Sequence, residues 1–230
     1  MINTATLKEN KKLTEDVYEL TFQTKQPLNF IGGQFVTIKI ADQEKPCFRA
    51  YSIASPPSDN EFKLCIKVMD GGRGSNWLKE LKIGEDVVFL GPSGKFIFEP
   101  SNKKVIFVAT GTGLAPFTSI IQEELAKKNN QNLHLIFGVR HINDVFYKDL
   151  LDELQQKYKN FTYKITLSQP ENESWNGEKG RVTDILEKTS IDPTNTSVYI
   201  CGLKNMIDSV TELLTSKGVP EENVHFEKFD

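Results

Sequence analysis

The chain has 230 residues, of which 38% are hydrophobic and 26% are charged, and its formal net charge is -3. These values are typical of a globular protein with one large or two small domains, and the near balance of charge excludes a global attraction to nucleic acid or anionic membrane. No apolar stretch approaches the roughly 20 residues of a membrane span, and no secretory signal is evident, so we expect a cytoplasmic protein.

The first half of the chain, from Ala5 to about Pro100, alternates strand-like runs with turn signals. The runs rich in β-branched and aromatic residues are Val17–Thr24, Gln34–Ile40, Phe62–Val68 and Asp86–Gly91. Strands at this spacing predict an antiparallel sandwich or barrel. A helix is predicted over Ser75–Leu81, where a polar start precedes apolar residues at helical spacing.

Within this half, the segment Arg49-Ala50-Tyr51-Ser52 carries groups suited to a planar, phosphorylated ligand. An Arg neutralises phosphate, a Tyr ring stacks on a heterocycle, and a Ser hydroxyl bonds a ring nitrogen or carbonyl. Strand alternation would place Arg49 and Tyr51 on one face. The alternative interpretation is a surface Arg beside an ordinary half-buried Tyr.

The segment Gly71-Gly72-Arg73-Gly74-Ser75-Asn76 leads into the predicted helix. Its glycine-rich backbone, basic residue and hydroxyl at a helix start favour an anion site. The alternative is a flexible loop in which Ser75 is the N-cap of the helix.

The second half alternates apolar strands with amphipathic helices, which predicts a doubly wound parallel sheet covered on both faces. The domain boundary is predicted near Pro100–Lys104. Strands are predicted at Val105–Ala109, Leu133–Phe137, Phe161–Leu167, Ser197–Cys201 and Val224–Phe226. Helices are predicted at Leu114–Lys128, Asp144–Tyr158, Val182–Lys188 and Asn205–Lys217.

Between the first strand and first helix of this half stands Ala109-Thr110-Gly111-Thr112-Gly113-Leu114-Ala115-Pro116. Glycines at such a turn let the backbone approach a pyrophosphate, and the helix start supplies N–H groups. The pattern falls short of the full dinucleotide fingerprint, so a tight turn without a ligand is the alternative.

Three further features concern cysteines and the end of the chain. Cys47, Cys65 and Cys201 are widely spaced, which predicts buried, reduced thiols and no metal site. Cys201-Gly202 closes a strand at the edge where open α/β sheets bind ligands, although a small buried thiol is the alternative. Glu227 is either a site residue or a solvated charge near the end of the chain.

Taken in order, these segments resemble the ferredoxin–NADP reductase family over nearly the whole chain. The resemblance rests on Arg49-Ala50-Tyr51-Ser52, Gly72-Arg73-Gly74-Ser75, Gly111-Thr112-Gly113-Leu114-Ala115-Pro116, Phe137-Gly138-Val139-Arg140, Tyr199-Ile200-Cys201-Gly202 and Glu227-Lys228-Phe229. It implies a β-barrel domain holding FAD over residues 1–100 and an α/β domain holding NAD(P)H over residues 101–230.

The resemblance also implies roles at the flavin. Tyr51 would stack on the flavin ring, Arg49 would pair with the pyrophosphate, and Ser52 would lie near flavin N5. The residues implied around FAD are Arg49, Ala50, Tyr51, Ser52, Cys65, Ile66, Lys67, Gly72, Arg73, Gly74 and Ser75.

At the nicotinamide dinucleotide, the implied residues are Gly111, Thr112, Gly113, Pro116, Arg140, Ser168, Gln169, Cys201 and Gly202. Ser52, Cys201 and Glu227 are the implied catalytic residues, and Phe229 takes the place of a C-terminal Tyr or Trp. Gln169 stands where NADP-specific relatives usually carry Arg, which favours NADH because a neutral amide cannot pair with a 2′-phosphate. Arg140, His141 or Lys179 could supply that charge.

The implied activity is hydride transfer from NAD(P)H to FAD, followed by single-electron transfer to ferredoxin or another iron–sulfur protein. A reductase component for an oxygenase or haem protein is one alternative, and a non-catalytic flavin-binding subunit is another. The oligomeric state, monomer or homodimer, stays open.

Overall fold

The computed structural model describes residues 2–41, 47–99, 102–128, 130–170 and 175–229. The chain divides into two compact units. One consists of the chain up to Phe98 together with Ala115–Glu123, and the other of Glu99–Leu114 and the chain from Glu124 onward. Pro100 and Ser101, at the predicted domain boundary, lie outside the described residues.

The first unit is built on an antiparallel sheet. Its elements are β1 (Ile2–Lys12), β2 (Val17–Thr24), β3 (Phe35–Ile40), β4 (Cys47–Ser52), β5 (Glu61–Lys67), α1 (Arg73–Glu80) and β6 (Asp86–Ser93). The strand order is β4-β3-β6-β1-β2-β5, and a bridge between Ile53 and Leu64 joins the two ends. The N–H of Ala54 donates to the carbonyl of Lys63 at 2.8 Å beside that bridge. The sheet is therefore closed, and the predicted antiparallel barrel is confirmed.

Aromatic rings fill the barrel. Phe22 and Phe62 have ring centroids 5.4 Å apart, Phe62 and Phe89 lie 5.3 Å apart, and all three side chains are fully buried. Burial of such rings supplies much of the stability of a small barrel, because each removes a large apolar area from water.

The helix α1 starts earlier than expected. It begins at Arg73, its N-cap is Gly72, and no side chain caps it. The interpretation of Ser75 as the N-cap is wrong, because the Ser75 hydroxyl turns back to the loop, accepting from the N–H of Met69 at 3.3 Å.

The second unit is built on a parallel sheet. The elements that follow β6 along the chain are β7 (Lys104–Thr110), α2 (Ala115–Ala126), β8 (Asn132–Val139), α3 (Lys148–Lys157), β9 (Phe161–Leu167), β10 (Glu178–Lys179), α4 (Val182–Lys188), β11 (Thr196–Leu203), α5 (Lys204–Ser216) and β12 (Val224–Phe229). The strand order is β10-β9-β8-β7-β11-β12. Helices α4 and α5 pack on one face through a cluster of buried aliphatic side chains, and the central strand β7 is buried on both faces. The predicted doubly wound α/β fold is confirmed.

Two of the helices predicted in the second half of the chain begin later than expected. The helix predicted from Asp144 begins at Lys148, because Tyr147 adopts a left-handed conformation with φ 57°. The Asp144 carboxylate instead accepts from the N–H of His141 at 3.0 Å and closes a short 3-10 turn. The segment Gly111–Leu114 is likewise a 3-10 turn before α2. None of the helices in the described part of the chain has the length and apolarity to span a membrane.

Candidate functional site

The strand β4 presents the Arg and Tyr of the first sequence motif. Tyr51 pairs with Val36 and Arg49 with Ile38, both residues of β3. Arg49 is exposed and donates from Nη1 to the carbonyl of Phe48 at 2.9 Å. Tyr51 is half-buried, and burial raises its pKa to about 12 while the Arg49 guanidinium opposes that shift. The phenol is therefore neutral at pH 7, and its ring packs partly against the core of the barrel.

The start of α1 lies directly against these two side chains. A Cβ built at Gly74 would lie 2.6 Å from the Tyr51 hydroxyl oxygen and 2.9 Å from Cγ of Arg49. A side chain at this position would have to displace Tyr51 or Arg49, since real Cβ atoms do not lie at such distances. The structure thus brings together two segments that are separated in sequence, and it places a basic residue and an aromatic ring beside a helix start without a side-chain cap.

The loop before α1 is held by its own polar side chains. The Asn76 Nδ2 donates to the carbonyls of Met69 at 2.9 Å and Gly72 at 2.7 Å. Ser75 is buried and holds the same loop through Met69. The role of Asn76 was missed in the sequence, because an amide inside a glycine-rich segment gives no sign of the carbonyls it will meet.

The other predicted flavin residues have different exposures. Ala50 and Arg73 are exposed, and Ser52 is buried at the end of β4 opposite Phe35. On β5, Cys65 and Ile66 are buried, while the Lys67 ammonium pairs with Asp16 at 3.0 Å. Because the Ile66 side chain is buried and the Lys67 ammonium is paired with Asp16, a ligand beside β5 would meet chiefly backbone groups.

The turn after β7 packs against the end of β11. A Cβ at Gly113 would lie 2.3 Å from the carbonyl oxygen of Cys201, and one at Gly202 would lie 2.4 Å from Oγ1 of Thr110. Strand order reverses between β7 and β11, with β8 on one side and β12 on the other. Open α/β sheets bind ligands at the carboxyl ends of strands at such a switch point. The contact of Thr110 with Gly202 was not predicted from the sequence.

The Cys201 thiol is fully buried at this switch point. Burial raises its pKa well above the usual value, and Glu227, its register partner on β12, raises it further. The thiol is therefore neutral at physiological pH, so Cys201 is no thiolate nucleophile. Glu227 is half-buried within a strand, and Phe229, also half-buried, pairs with Leu203.

The carboxyl ends of β8 and β9 hold the remaining predicted residues. Ser168 donates its N–H to the carbonyl of Val139 at 3.0 Å, and Gln169 donates to that of Arg140 at 2.9 Å. Arg140, Ser168 and Gln169 are exposed, so their side chains are accessible at this edge of the sheet. On the turn after β7, Gly111 and Thr112 are half-buried, and Pro116 is buried in the first turn of α2.

The prediction of buried cysteines is only partly right. Cys65 and Cys201 are buried, whereas Cys47 at the start of β4 is half-buried. All three are free thiols. Cys47 opens a strand whose next three residues are exposed, which explains its accessibility.

Two protein-family models match the chain. Residues 4–98 match the oxidoreductase FAD-binding domain, and residues 107–212 match the oxidoreductase NAD-binding domain. The close approaches at Gly74 and Gly113 are compatible with these two groups, since each leaves glycine backbone beside the start of a helix or 3-10 turn, an arrangement that binds pyrophosphates in proteins.

Full-length similarity extends to curated relatives. The chain is 34% identical to ferredoxin–NADP reductase B of Sorangium cellulosum over 96% of this chain and 94% of that protein. It is 30% identical to the toluate 1,2-dioxygenase electron transfer component of Pseudomonas putida over 98% of this chain and 67% of that protein. The chain spans 60% to 67% of the oxygenase electron-transfer relatives it matches.

Among solved structures, the cytochrome P450 reductase GcoB of Amycolatopsis aligns with a TM-score of 0.91 at 24% identity. The alignment covers 100% of this chain and 70% of that one, and at this identity it supports the fold alone. Together with the two domain matches and the Sorangium relative, the observations show that the chain belongs to the ferredoxin–NADP reductase family of FAD- and NAD(P)-binding oxidoreductases.

Proposed function

We propose that this protein takes a hydride from NAD(P)H onto FAD and passes electrons to ferredoxin or a similar iron–sulfur protein. The observation that supports the proposal best is the packing of Gly74 against Tyr51 and Arg49, which brings an aromatic ring, a positive charge and a helix start together. When bound, FAD would supply both two-electron and one-electron redox chemistry, which a reductase for a one-electron acceptor needs.

The barrel residues bind and orient in this proposal. Arg49 would neutralise the FAD pyrophosphate, and Tyr51 would stack on the flavin ring. The uncapped start of α1 donates N–H groups to the same anion. The Ser52 hydroxyl would hydrogen-bond the flavin near N5. We assign residues 1–100 as the FAD-binding domain on this basis.

The parallel sheet holds the nicotinamide dinucleotide, and residues 101–230 form that domain in our proposal. The Gly111–Gly113 turn would bind its pyrophosphate. Cys201, as a buried neutral thiol, would support the nicotinamide site without reacting, and Glu227 would provide a carboxylate there. Arg140 and Gln169 face the adenosine end.

The test is anaerobic titration of the purified, FAD-loaded protein with NADH and, separately, NADPH, followed by visible absorbance. Rapid bleaching by either nucleotide supports the proposal, and the faster nucleotide identifies the donor. A yellow protein that neither nucleotide bleaches would leave only a flavin-binding subunit, and a protein that stays colourless with added FAD would contradict the flavin assignment.

A second candidate is a reductase component of an oxygenase or haem-protein system. Several relatives bear this description, among them the toluate dioxygenase component. Once bleaching is established, the reduced protein should be mixed with a [2Fe–2S] ferredoxin and with a haem acceptor such as cytochrome c. Selective, rapid reduction of the ferredoxin favours the first candidate, and selective reduction of the haem protein favours the second.

A further inference from the structure

Helix α1 is anchored in the barrel by its second turn, and its first turn keeps open N–H groups. Leu78 is fully buried in the barrel core. The first hydrogen bond of the helix runs from the N–H of Asn76 to the carbonyl of Gly72 at 3.1 Å. Among the described residues, no acceptor contacts the backbone N–H groups of Gly74 and Ser75. Such groups at a helix start are the ones that bind an anion.

The loop that leads into α1 is a tight turn from Met69 to Gly72. The N–H of Gly72 donates to the carbonyl of Met69 at 2.9 Å, and Gly71 between them has φ +71°. The N-cap, Gly72, has no side chain, and the Ser75 hydroxyl accepts from the N–H of Met69 at 3.3 Å. The usual capping side chain therefore does not fix the direction of this helix start.

The Asn76 amide ties this loop to the helix from within the first turn. Its Nδ2 donates to the carbonyl of Met69 at 2.9 Å and to that of Gly72 at 2.7 Å. Both partners are acceptors, so the side chain must present its NH2 group to the loop, and an ionised acid could make neither bond. The same two carbonyls close the turn and accept the first helical hydrogen bond. One side chain therefore holds the loop and the helix start together.

We infer that Asn76 is a positioning residue for the pyrophosphate of the flavin cofactor, and this rests on the proposed function. N–H groups at a helix start bind a phosphate only when they have a fixed direction within hydrogen-bond reach. Asn76 fixes that direction for the N–H groups of Gly74 and Ser75 by holding the loop, whereas Tyr51 belongs to the strand β4. Loss of the amide therefore weakens the contact with the phosphates and leaves the Tyr51 ring in place.

The experiment compares the wild-type apoprotein with Asn76→Leu, which keeps the approximate size of the side chain but removes its donors. Dissociation constants are measured by flavin fluorescence for FAD and for riboflavin, which has the same ring and no phosphate. A hydrogen bond to a charged group is worth roughly tenfold in affinity, so we expect Asn76→Leu to weaken FAD about tenfold. Riboflavin affinity should stay within about twofold of wild type. Urea denaturation checks that the helix persists, as expected because Leu favours a helix more than Asn.

Two further variants sharpen the comparison. Asn76→Ser retains a hydroxyl that can donate to the carbonyl of Gly72 four residues earlier, so it should recover part of the FAD affinity. Glu80→Ala, an exposed substitution in the same helix, should change the affinity for neither flavin. If Asn76→Leu does not fold, the ratio of FAD to riboflavin affinity in Asn76→Ser decides in its place, and a ratio equal to that of wild type overturns the inference.

The outcomes separate this inference from the proposed function. Weaker FAD binding at unchanged riboflavin affinity, with partial recovery in Asn76→Ser, supports the positioning role. FAD affinity at the wild-type level in Asn76→Leu overturns the inference alone. Equal weakening of FAD and riboflavin, with no recovery in Asn76→Ser, also overturns it and leaves a purely structural role. Wild-type apoprotein that binds no FAD overturns the proposed function as well.

Discussion

Replacement of Gly74 by Ala tests the proposed flavin site most directly. Ordinary van der Waals contact begins near 3.4 Å, and the new Cβ would lie 2.6 Å from the Tyr51 hydroxyl oxygen, so that oxygen must yield by about 0.8 Å. The Cβ would also press on Cγ of Arg49 at 2.9 Å. The substitution therefore moves both side chains that we assign to FAD.

The size of the effect follows from the displacement. A gap of 0.5–1 Å forfeits roughly a quarter to a half of a dispersion contact, and aromatic stacking is worth about 0.5–1.5 kcal/mol. With some loss at Arg49 added, we expect about 1 kcal/mol of lost FAD binding, or roughly a fivefold increase in Kd. The apoprotein should not lose stability, because Ala favours a helix over Gly by about 1 kcal/mol.

The assay is titration of apoprotein with FAD by fluorescence quenching, alongside urea denaturation without cofactor. Glu80→Ala, an exposed substitution in the same helix, is the matched control and should leave FAD affinity unchanged. Weaker binding in Gly74→Ala together with an undiminished unfolding midpoint supports the site. An FAD Kd within error of wild type would refute the reasoning, since a displaced Tyr51 would then have no bearing on the flavin.

Three other predictions concern thiols, donor choice and pH. Iodoacetamide at pH 8 should label Cys47 in the native protein, while Cys65 and Cys201 react only after unfolding, as mass spectrometry of peptides will show. Gln169→Arg should raise the preference for NADPH over NADH about tenfold in steady-state assays, because a guanidinium pairs with the 2′-phosphate; an unchanged ratio argues against this position. The pKa of His134 is lowered to about 4, mainly by burial and then by two neighbouring lysines. The His134 imidazole therefore binds a proton more tightly in the unfolded chain than in the folded protein. The free energy of unfolding, measured by urea denaturation, should fall by about 1 kcal/mol between pH 7 and pH 5. His134→Asn should not show this fall.

Segments with strong local patterns were predictable to the residue. The strands β2 and β9 and the helix α4 have the expected bounds. Their apolar residues are dense and regularly spaced, which indicates a single type of secondary structure. The strand β1 was missed, since only Ala5 and Leu7 of its side chains are buried and its polar sequence resembles a loop. Strand β4 was also obscured, because three of its successive residues are exposed. An alternating apolar pattern is absent from such strands, and they form because they pair with neighbouring strands, which the local sequence does not show.

The candidate site was predictable in its residue types but not in its long-range contacts. The motifs around Arg49, Gly74 and Gly113 were identified from chemistry and resemblance. Nothing local, however, indicates that Gly74 lies against Tyr51, or that Gly32 receives the backbone of a helix almost ninety residues later along the chain. Such contacts depend on the closed barrel and on the strand order, which are tertiary properties.

The glycines of the motifs meet two different physical requirements. Gly111 has φ +52°, and a Cβ there would meet nothing within 4 Å, so its backbone conformation is the constraint. Gly74 and Gly113 have no such φ, and their constraint is the close approach of Tyr51 and of the Cys201 carbonyl. Glycines constrained by a close approach are the more informative about function, because the approach identifies which distant residue lies beside the glycine. The proposed flavin and nicotinamide sites are each built around one glycine of this kind, and this accounts for how motifs that are weak singly become specific in combination.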